Sequence, residues 1–281
     1  MKLLPPLLPL YFALVAASAC AQDVQPIKDA GPYVPSPQSV VSDMLRYADV
    51  SAEDFLIDLG SGDGRIVLTA AKVFGARGFG VEIKDELVKK SNEAAQKEGL
   101  ADRVKFLKQD LFKTDMSQAT VITMYLLPDT VNLLKDKFLA ELKPGTRIVS
   151  HDYPLTGWIP EKYVQMDLDD KVQISGVTTT LIYVYVVPAR VAGSWTMRMP
   201  PAISNAPATL SLRQQLTRAS GTLRIDGKDV PLEDVVLRGD KVSFRLAGRK
   251  GEFTGQVRGN AIEGMFESGG NKSAWSAALK G

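Results

Sequence analysis

Residues 55–64, Phe-Leu-Ile-Asp-Leu-Gly-Ser-Gly-Asp-Gly, decide the fold. Phe55, Leu56 and Ile57 have the unbroken apolar character of a buried parallel strand, Gly60, Gly62 and Gly64 make a tight turn, and Arg65 to Val73 reads as a helix opening directly afterwards. The glycines have a physical purpose: without a Cβ the backbone takes φ > 0 and approaches a ligand to contact distance. The spacing G-x-G-x-G differs from the G-x-G-x-x-G of nicotinamide dinucleotide sites. A pyrophosphate seeks the N–H groups of a helix terminus, whereas a turn edged by Asp58 and Asp63 suits a ligand with positive charge.

Two more acids follow the next two apolar runs. Gly78 to Ile83 reads as a second strand carrying Glu82 near its end, 24 residues after Asp58, where a doubly wound fold places the acceptor for two ribose hydroxyls. Val104 to Leu107 reads as a third, running into Gln109-Asp110-Leu111. The run DLGSGDGR, with these acids behind it, resembles the first motif of class I S-adenosylmethionine-dependent methyltransferases. That resemblance implies S-adenosyl-L-methionine as cofactor, contacted by Asp58, Gly60, Ser61, Gly62, Asp63, Gly64 and Glu82, with Asp110 and Leu111 flanking the adenine.

Beyond the third strand the chain keeps alternating. Ala119 to Tyr125 reads as a fourth strand, Thr130 to Leu142 as a helix stopped by Lys143-Pro144-Gly145, and Thr146 to Ser150 as a fifth strand. Val172 to Gly176 and Thr179 to Val187 read as a closing hairpin, which makes an α/β, doubly wound, Rossmann-like sheet of seven strands. After Pro188 the pattern changes to period two, as in Val242/Phe244/Leu246 and Ile262/Gly264/Phe266, with hairpin signals at Asp226-Gly227, Gly239-Asp240, Gly259-Asn260 and Gly269-Gly270-Asn271. A C-terminal all-β meander or barrel is expected there, with FTGQV and AIEGMF hinting at an internal repeat. The expected organisation is a signal peptide over 1–21, a linker and cofactor-covering loop over 22–37, a methyltransferase domain over 38–190 and an all-β domain over 191–281.

The signal-peptide reading rests on Lys2, the apolar run Leu3 to Ala16 and the small residues Ala17-Ser18-Ala19-Cys20-Ala21. Pro5, Pro6 and Pro9, with a run short of the ~20 apolar residues a bilayer requires, argue against a stable membrane span. Ala19-Cys20-Ala21 fits ordinary cleavage, and Ala17-Ser18-Ala19-Cys20 resembles a lipobox whose cysteine carries lipid; both stay open. Export to a periplasmic or envelope location follows, and it conflicts with a cofactor made in the cytoplasm. Cys20 is the one cysteine in the 281 residues, so the chain forms no internal disulfide. A net charge of +2, with basic residues scattered, argues against nucleic acid as partner.

Gly31-Pro32-Tyr33-Val34-Pro35-Ser36 together with DLGSGDGRIVLTAA resembles, over residues 31–160, the lysine methyltransferases that modify the adenine nucleotide translocase and the c-ring protein of ATP synthase. The resemblance implies a protein lysine as methyl acceptor and a covering loop in which Tyr33 meets the cofactor; a rigid linker turn is the alternative for Tyr33 and Pro35. Thr123-Met124-Tyr125-Leu126-Leu127-Pro128 lacks the Asn/Asp-Pro-Pro-aromatic motif of enzymes that methylate amide or adenine nitrogens, which leaves an aliphatic amine or a small molecule. Candidates near the transfer centre are Tyr33, Tyr125 and His151, the one histidine, each with a structural alternative. One cysteine and one histidine do not build a transition-metal site of the usual ligand type. A second reading is an exported non-catalytic protein whose degenerate methyltransferase fold binds a nucleoside or an envelope partner.

Overall fold

The computed structural model describes residues 32–201 and 203–281. The signal-peptide and lipidation readings, Cys20 included, lie outside the described residues. The chain enters its core at α1 (Gln38–Tyr47), directly after Pro37, whose fixed φ suits a helix start. Val40, Val41, Met44 and Leu45 recur at helical spacing and are all fully buried. Each such side chain stabilises the fold by roughly 1.5–3 kcal/mol.

β1 (Phe55–Leu59) leads through the glycine turn to α2 (Arg65–Phe74), then come β2 (Arg77–Glu82), α3 (Asp85–Lys97), β3 (Val104–Lys108) and β4 (Val121–Met124). The single helix expected over 130–142 is two, α4 (Pro128–Leu133) and α5 (Lys135–Glu141), parted at the fully buried Leu134. β5 (Arg147–His151), β6 (Lys162–Asp167), α6 (Asp169–Ser175) and β7 (Thr179–Val186) complete a sheet ordered β3-β2-β1-β4-β5-β7-β6. β7 runs antiparallel to both β5 and β6, and the rest are parallel. The order reverses at β1 and β4, so a crevice opens at their carboxyl ends.

The expected strand at 172–176 is a correction: that stretch lies in α6 and at its left-handed end, Gly176. The seventh strand is instead Lys162–Asp167, an edge strand whose Tyr163, Gln165 and Asp167 face outward. Its alternation carries too few apolar residues to mark it, and four residues of Val-Gln-Ile-Ser are too short to separate period 2 from period 3.6.

The C-terminal residues form a closed antiparallel barrel of eight strands: β8 (Gly193–Arg198), β9 (Ala208–Gln215), β10 (Arg218–Ile225), β11 (Lys228–Arg238), β12 (Lys241–Leu246), β13 (Glu252–Arg258), β14 (Ala261–Ser268) and β15 (Asn271–Leu279). β8 closes the circle between β15 and β9. Phe244 and Phe253 stack at 4.9 Å inside, with Trp275 edge-on to both. The internal repeat has a packing cause: Gly255 and Gly264 pair across β13 and β14, and the Trp275 ring lies over them. A Cβ on Gly264 would fall 2.0 Å from the Thr254 carbonyl oxygen and 2.6 Å from Trp275 Nε1.

The connection between β5 and β6, residues 152–161, holds no helix, and the β9–β10 hairpin tip packs against it. Thr217 Oγ1 accepts from the Ile159 N–H at 2.9 Å, and Leu216 joins the hydrophobic cluster of Trp158 and Tyr185. Arg238 pairs with Glu161 at 2.9 Å, and the Ala189 N–H donates to the Gly239 carbonyl at 2.7 Å.

Candidate functional site

The turn after β1 holds Gly60, Gly62 and Gly64 at φ of 75°, 53° and 81°, a region that side chains with a Cβ rarely enter. Space requires all three as well. A Cβ on Gly60 would come within 2.8 Å of Leu126, and one on Gly62 within 2.5 Å of the Tyr33 ring. Gly64 differs: its Cβ would strike Phe106 and Ser91 inside the core, so it serves packing and does not line the cleft.

The cleft encloses about 970 Å³ of empty space open to solvent, at the carboxyl ends of β1, β2, β3 and β4. Tyr33, Asp58, Gly60, Ser61, Gly62, Asp63, Glu82, Asp110, Leu111 and Tyr125 all line it. Glu82 Oε2 accepts from the Gly62 N–H at 3.0 Å, while Oε1 accepts from the N–H groups of Ile83 (2.8 Å) and Lys84 (3.0 Å). Its carboxylate is thereby fixed at the mouth of the turn. Asp110 Oδ1 accepts from the Phe112 N–H at 2.9 Å, which sets its orientation.

Asp58 is buried, with Thr123 Oγ1 donating to Oδ1 at 2.7 Å. Burial pushes its pKa up to about 7, and the nearby charges of Glu82 and Asp63 add to the rise. A cation in the cleft would favour its ionised form. Asp63 does not share this role. Burial acts to raise its pKa but is outweighed by Arg65, whose Nε and Nη2 bind the two carboxylate oxygens at 2.9 and 2.7 Å, leaving the net shift downward. The expectation that Asp58 and Asp63 jointly offer negative charge is therefore corrected: Arg65 already neutralises Asp63.

Arg65 also ties down the covering segment. Its Nη1 donates to the Ser36 carbonyl at 2.7 Å, and Tyr33, lying over Gly62, has its pKa pushed up to about 12 by burial and by Asp63. Ser36 Oγ lies 2.8 Å from His151 Nδ1 at the end of β5. His151 is fully buried, and burial pushes its pKa down to about 4, so it is neutral at neutral pH. It does not line the cleft. Tyr125 lies against it, ring centroids 3.9 Å apart, so of the two readings open for His151, a group near the transfer centre and a structural one, its position is that of a support beneath Tyr125.

Sequence reading missed Arg65 and Ser36 as parts of the site, and also Asp152 and Lys171 behind Tyr125. The first two stand inside quoted motifs, but their partner is 29 residues away in sequence and no local spacing signals it. Lys171 Nζ donates to both Asp152 oxygens, at 2.8 and 2.7 Å, from a buried position on α6.

The residues fit S-adenosyl-L-methionine by two observations. Gly60 and Gly62 form a wall without side chains, and Ser61 Oγ, buried at that wall, has no hydrogen-bond partner among the described residues. Glu82 offers acceptors suited to a ribose diol and Asp110 to an amine, and Asp58 favours a cationic ligand. Among the described residues there is no group of three or more His, Cys, Asp or Glu placed to hold a metal ion, and no helix is long and apolar enough to cross a membrane.

Residues 58–162 match the model of the ANTKMT methyltransferase domain. A protein-lysine N-methyltransferase from Saccharolobus islandicus is 42% identical over 157 residues, covering 56% of this chain and 93% of the relative. The adenine nucleotide translocase lysine N-methyltransferase of Mus musculus is 37% identical over 105 residues, covering 37% of this chain and 46% of the relative. The chain thus spans about half the length of that mammalian protein. Among solved structures, an RNA methyltransferase from Salinibacter ruber in complex with S-adenosyl-L-homocysteine is 44% identical, with a TM-score of 0.51, covering 56% of this chain and 96% of that one. Taken with a glycine turn and strand-end acids gathered on one cleft, a match over nearly the whole archaeal relative establishes that the chain belongs to the S-adenosylmethionine-dependent protein-lysine methyltransferase family.

Proposed function

We propose that this protein transfers a methyl group to the side-chain amine of lysine in a protein. The observation that carries the reading is the cleft itself: Glu82 is fixed by the Gly62 N–H at one end, and the cleft continues past Asp58 to Tyr125 and Leu126. S-adenosyl-L-methionine, bound there, supplies an electrophilic methyl on a sulfonium. Glu82 would hold its ribose, Asp110 and Leu111 its adenine, and the Tyr33 segment would shield its methionine end. A lysine ammonium, pKa about 10.4 in water, has to lose a proton before its nitrogen has a free lone pair. The Val34, Pro35, Tyr125 and Leu126 surfaces of the cleft disfavour the charged form by desolvation. Nucleic acid fits less well as acceptor, because net charge is only +2 and its basic residues form no single patch in the sequence.

The test is to incubate the purified chain with methyl-labelled cofactor and a protein extract, hydrolyse the product and separate the amino acids. Label in mono-, di- or trimethyllysine is the expected result. Label recovered in nucleosides, or cofactor binding with no transfer, overturns the reading and favours in turn an RNA acceptor or a binding protein.

We also propose that residues 1–21 direct export, with Cys20 either removed or lipidated, placing the protein in the periplasm or envelope. The apolar run and small residues of 3–21 support it. Mass spectrometry of the mature N-terminus decides it: an intact Met1 overturns export by cleavage.

A further inference from the structure

The two ends of the barrel differ. The turns at 216–217 and 239–240 meet the methyltransferase domain, Thr217 through Ile159 and Gly239 through Ala189, so that end faces the sheet. Successive strands alternate in direction, so the turns at 226–227, 247–251 and 269–270 gather at the opposite end. There the barrel holds about 750 Å³ of empty space open to solvent. An eight-stranded barrel is just wide enough to be filled by its own side chains or to keep room for one small ligand. Position along the strands decides between the two. Trp195, Phe244 and Trp275 are buried and fill the interior from the covered end to the middle. Toward the open end the inward row of β14 passes Phe266 and stops at Ser268, and that of β15 begins at Ser273, which pairs with Phe266 across the strands. Two serines thus stand where large apolar groups would have closed the mouth.

Below them the walls are apolar: Leu246, Phe253 and Phe266 line the cavity, with Ile203 from the connection after β8. Charge at the rim has one sign. Arg249 and Lys250, consecutive in the turn after β12, line the cavity, and no carboxylate does. Neither makes an ion pair among the described residues. Glu252 alternates with the inward Phe253 and so points outside the barrel, and Glu267 is already paired with Lys272 at 3.2 Å. The turn itself is held. Ser268 Oγ donates to the Lys250 carbonyl at 3.2 Å, and Gly251, at φ 116°, lies so near the Phe266 ring that a Cβ would come within 2.6 Å.

We propose that this mouth binds a small amphiphilic anion, a carboxylate on an unbranched hydrocarbon chain: the chain enters against Leu246, Phe253 and Phe266, and the carboxylate stays at the rim, accepting from Arg249 and Lys250. Each half of the ligand answers its own observation. Apolar walls in a concave barrel mouth receive the chain, and two cations with no acid to neutralise them receive the charge. The site lies at the end of the barrel away from the methyltransferase domain and is independent of the lysine reading above.

The probe is octanoate, titrated calorimetrically into the full chain, with acetate as the charge without the chain and octanol as the chain without the charge. Octanoate is expected to bind saturably, with a dissociation constant of about 1 mM or tighter, and the two controls about tenfold more weakly or worse. Arg249→Glu combined with Lys250→Glu, both at exposed positions, replaces attraction by repulsion and should weaken octanoate about tenfold or more while S-adenosyl-L-homocysteine affinity is kept. Ser273→Trp puts a ring into the cavity and should abolish octanoate binding. Octanoate that does not saturate overturns the site, as does acetate or octanol binding equally well. Wild-type octanoate affinity in the charge-reversed or the ring-filled protein overturns it too. Should Ser273→Trp fail to melt cooperatively, the charge reversal decides alone.

Discussion

The carboxylate of Glu82 accepts a hydrogen bond from the Gly62 N–H at 3.0 Å, joining the tip of β2 to the turn that follows β1. Two elements of the cofactor cleft are thus set by one contact before any ligand arrives, which lowers the ordering cost of binding.

Glu82→Ala removes the expected ribose acceptors and releases the turn. Hydrogen bonds to a charged group contribute about 1.5–3 kcal/mol each, so cofactor affinity is expected to fall at least tenfold. Isothermal calorimetry with S-adenosyl-L-homocysteine checks it, and an unchanged affinity removes Glu82 from the site.

Gly62→Ala places a methyl group against the Tyr33 ring at a φ of 53°. A strained backbone of this kind costs of order 1–3 kcal/mol. Melting should occur several degrees lower, and the covering segment should become accessible to protease; protection equal to wild type would disconnect Tyr33 from the turn.

Cofactor affinity should rise as pH increases through about 7. Asp58 is protonated below its raised pKa of about 7 and ionised above it, and only the ionised form attracts a cationic ligand. Calorimetry from pH 6 to 8 should show this slope in wild type and its loss in Asp58→Asn.

Stability carries a second signature of the same sign, at lower pH. His151 titrates near 4 when folded against 6.5 when unfolded, so between those values the unfolded chain binds more protons. Its contribution is present above pH 6.5 and is lost as pH falls toward 4. Denaturant midpoints of wild type and His151→Asn across that window should converge as pH drops; parallel curves would show that His151 titrates normally.

Gly264→Ala tests the barrel alone. The methyl group collides with the Thr254 carbonyl and Trp275, so the barrel should loosen, with Trp275 fluorescence shifting red, while S-adenosyl-L-homocysteine affinity is kept. A loss of affinity would show that the barrel supports the cleft.

Strand-end acids were legible because their chemistry is local: Asp58, Glu82 and Asp110 each follow an apolar run, and the fold carries all three to one cleft. The ion pair of Asp63 with Arg65 hid in plain sight two residues apart, since sequence shows two charges without saying whether they face a ligand or each other. His151 stayed open between a reactive and a structural reading for a related reason: a titratable ring at a strand end shows its role only through its burial under Tyr125. β11 gives no clean period-two signal, because Pro231 and an irregularity between Glu233 and Val236 break its alternation. Lys171 and Asp152 meet only because α6 returns over the β5 end, a long-range event that no spacing rule encodes.

Circular closure of β8 to β15 leaves every strand of that body hydrogen-bonded on both flanks. Among the described residues, the strands paired on one side only are β3 and β6 at the two margins of the sheet; β3 carries Lys105 and Lys108, while Lys162 on β6 is paired with Asp49. The C-terminal body therefore offers no ladder for a neighbouring chain to extend, and fibre-like self-association, if conditions ever provoke it, has to begin at the sheet.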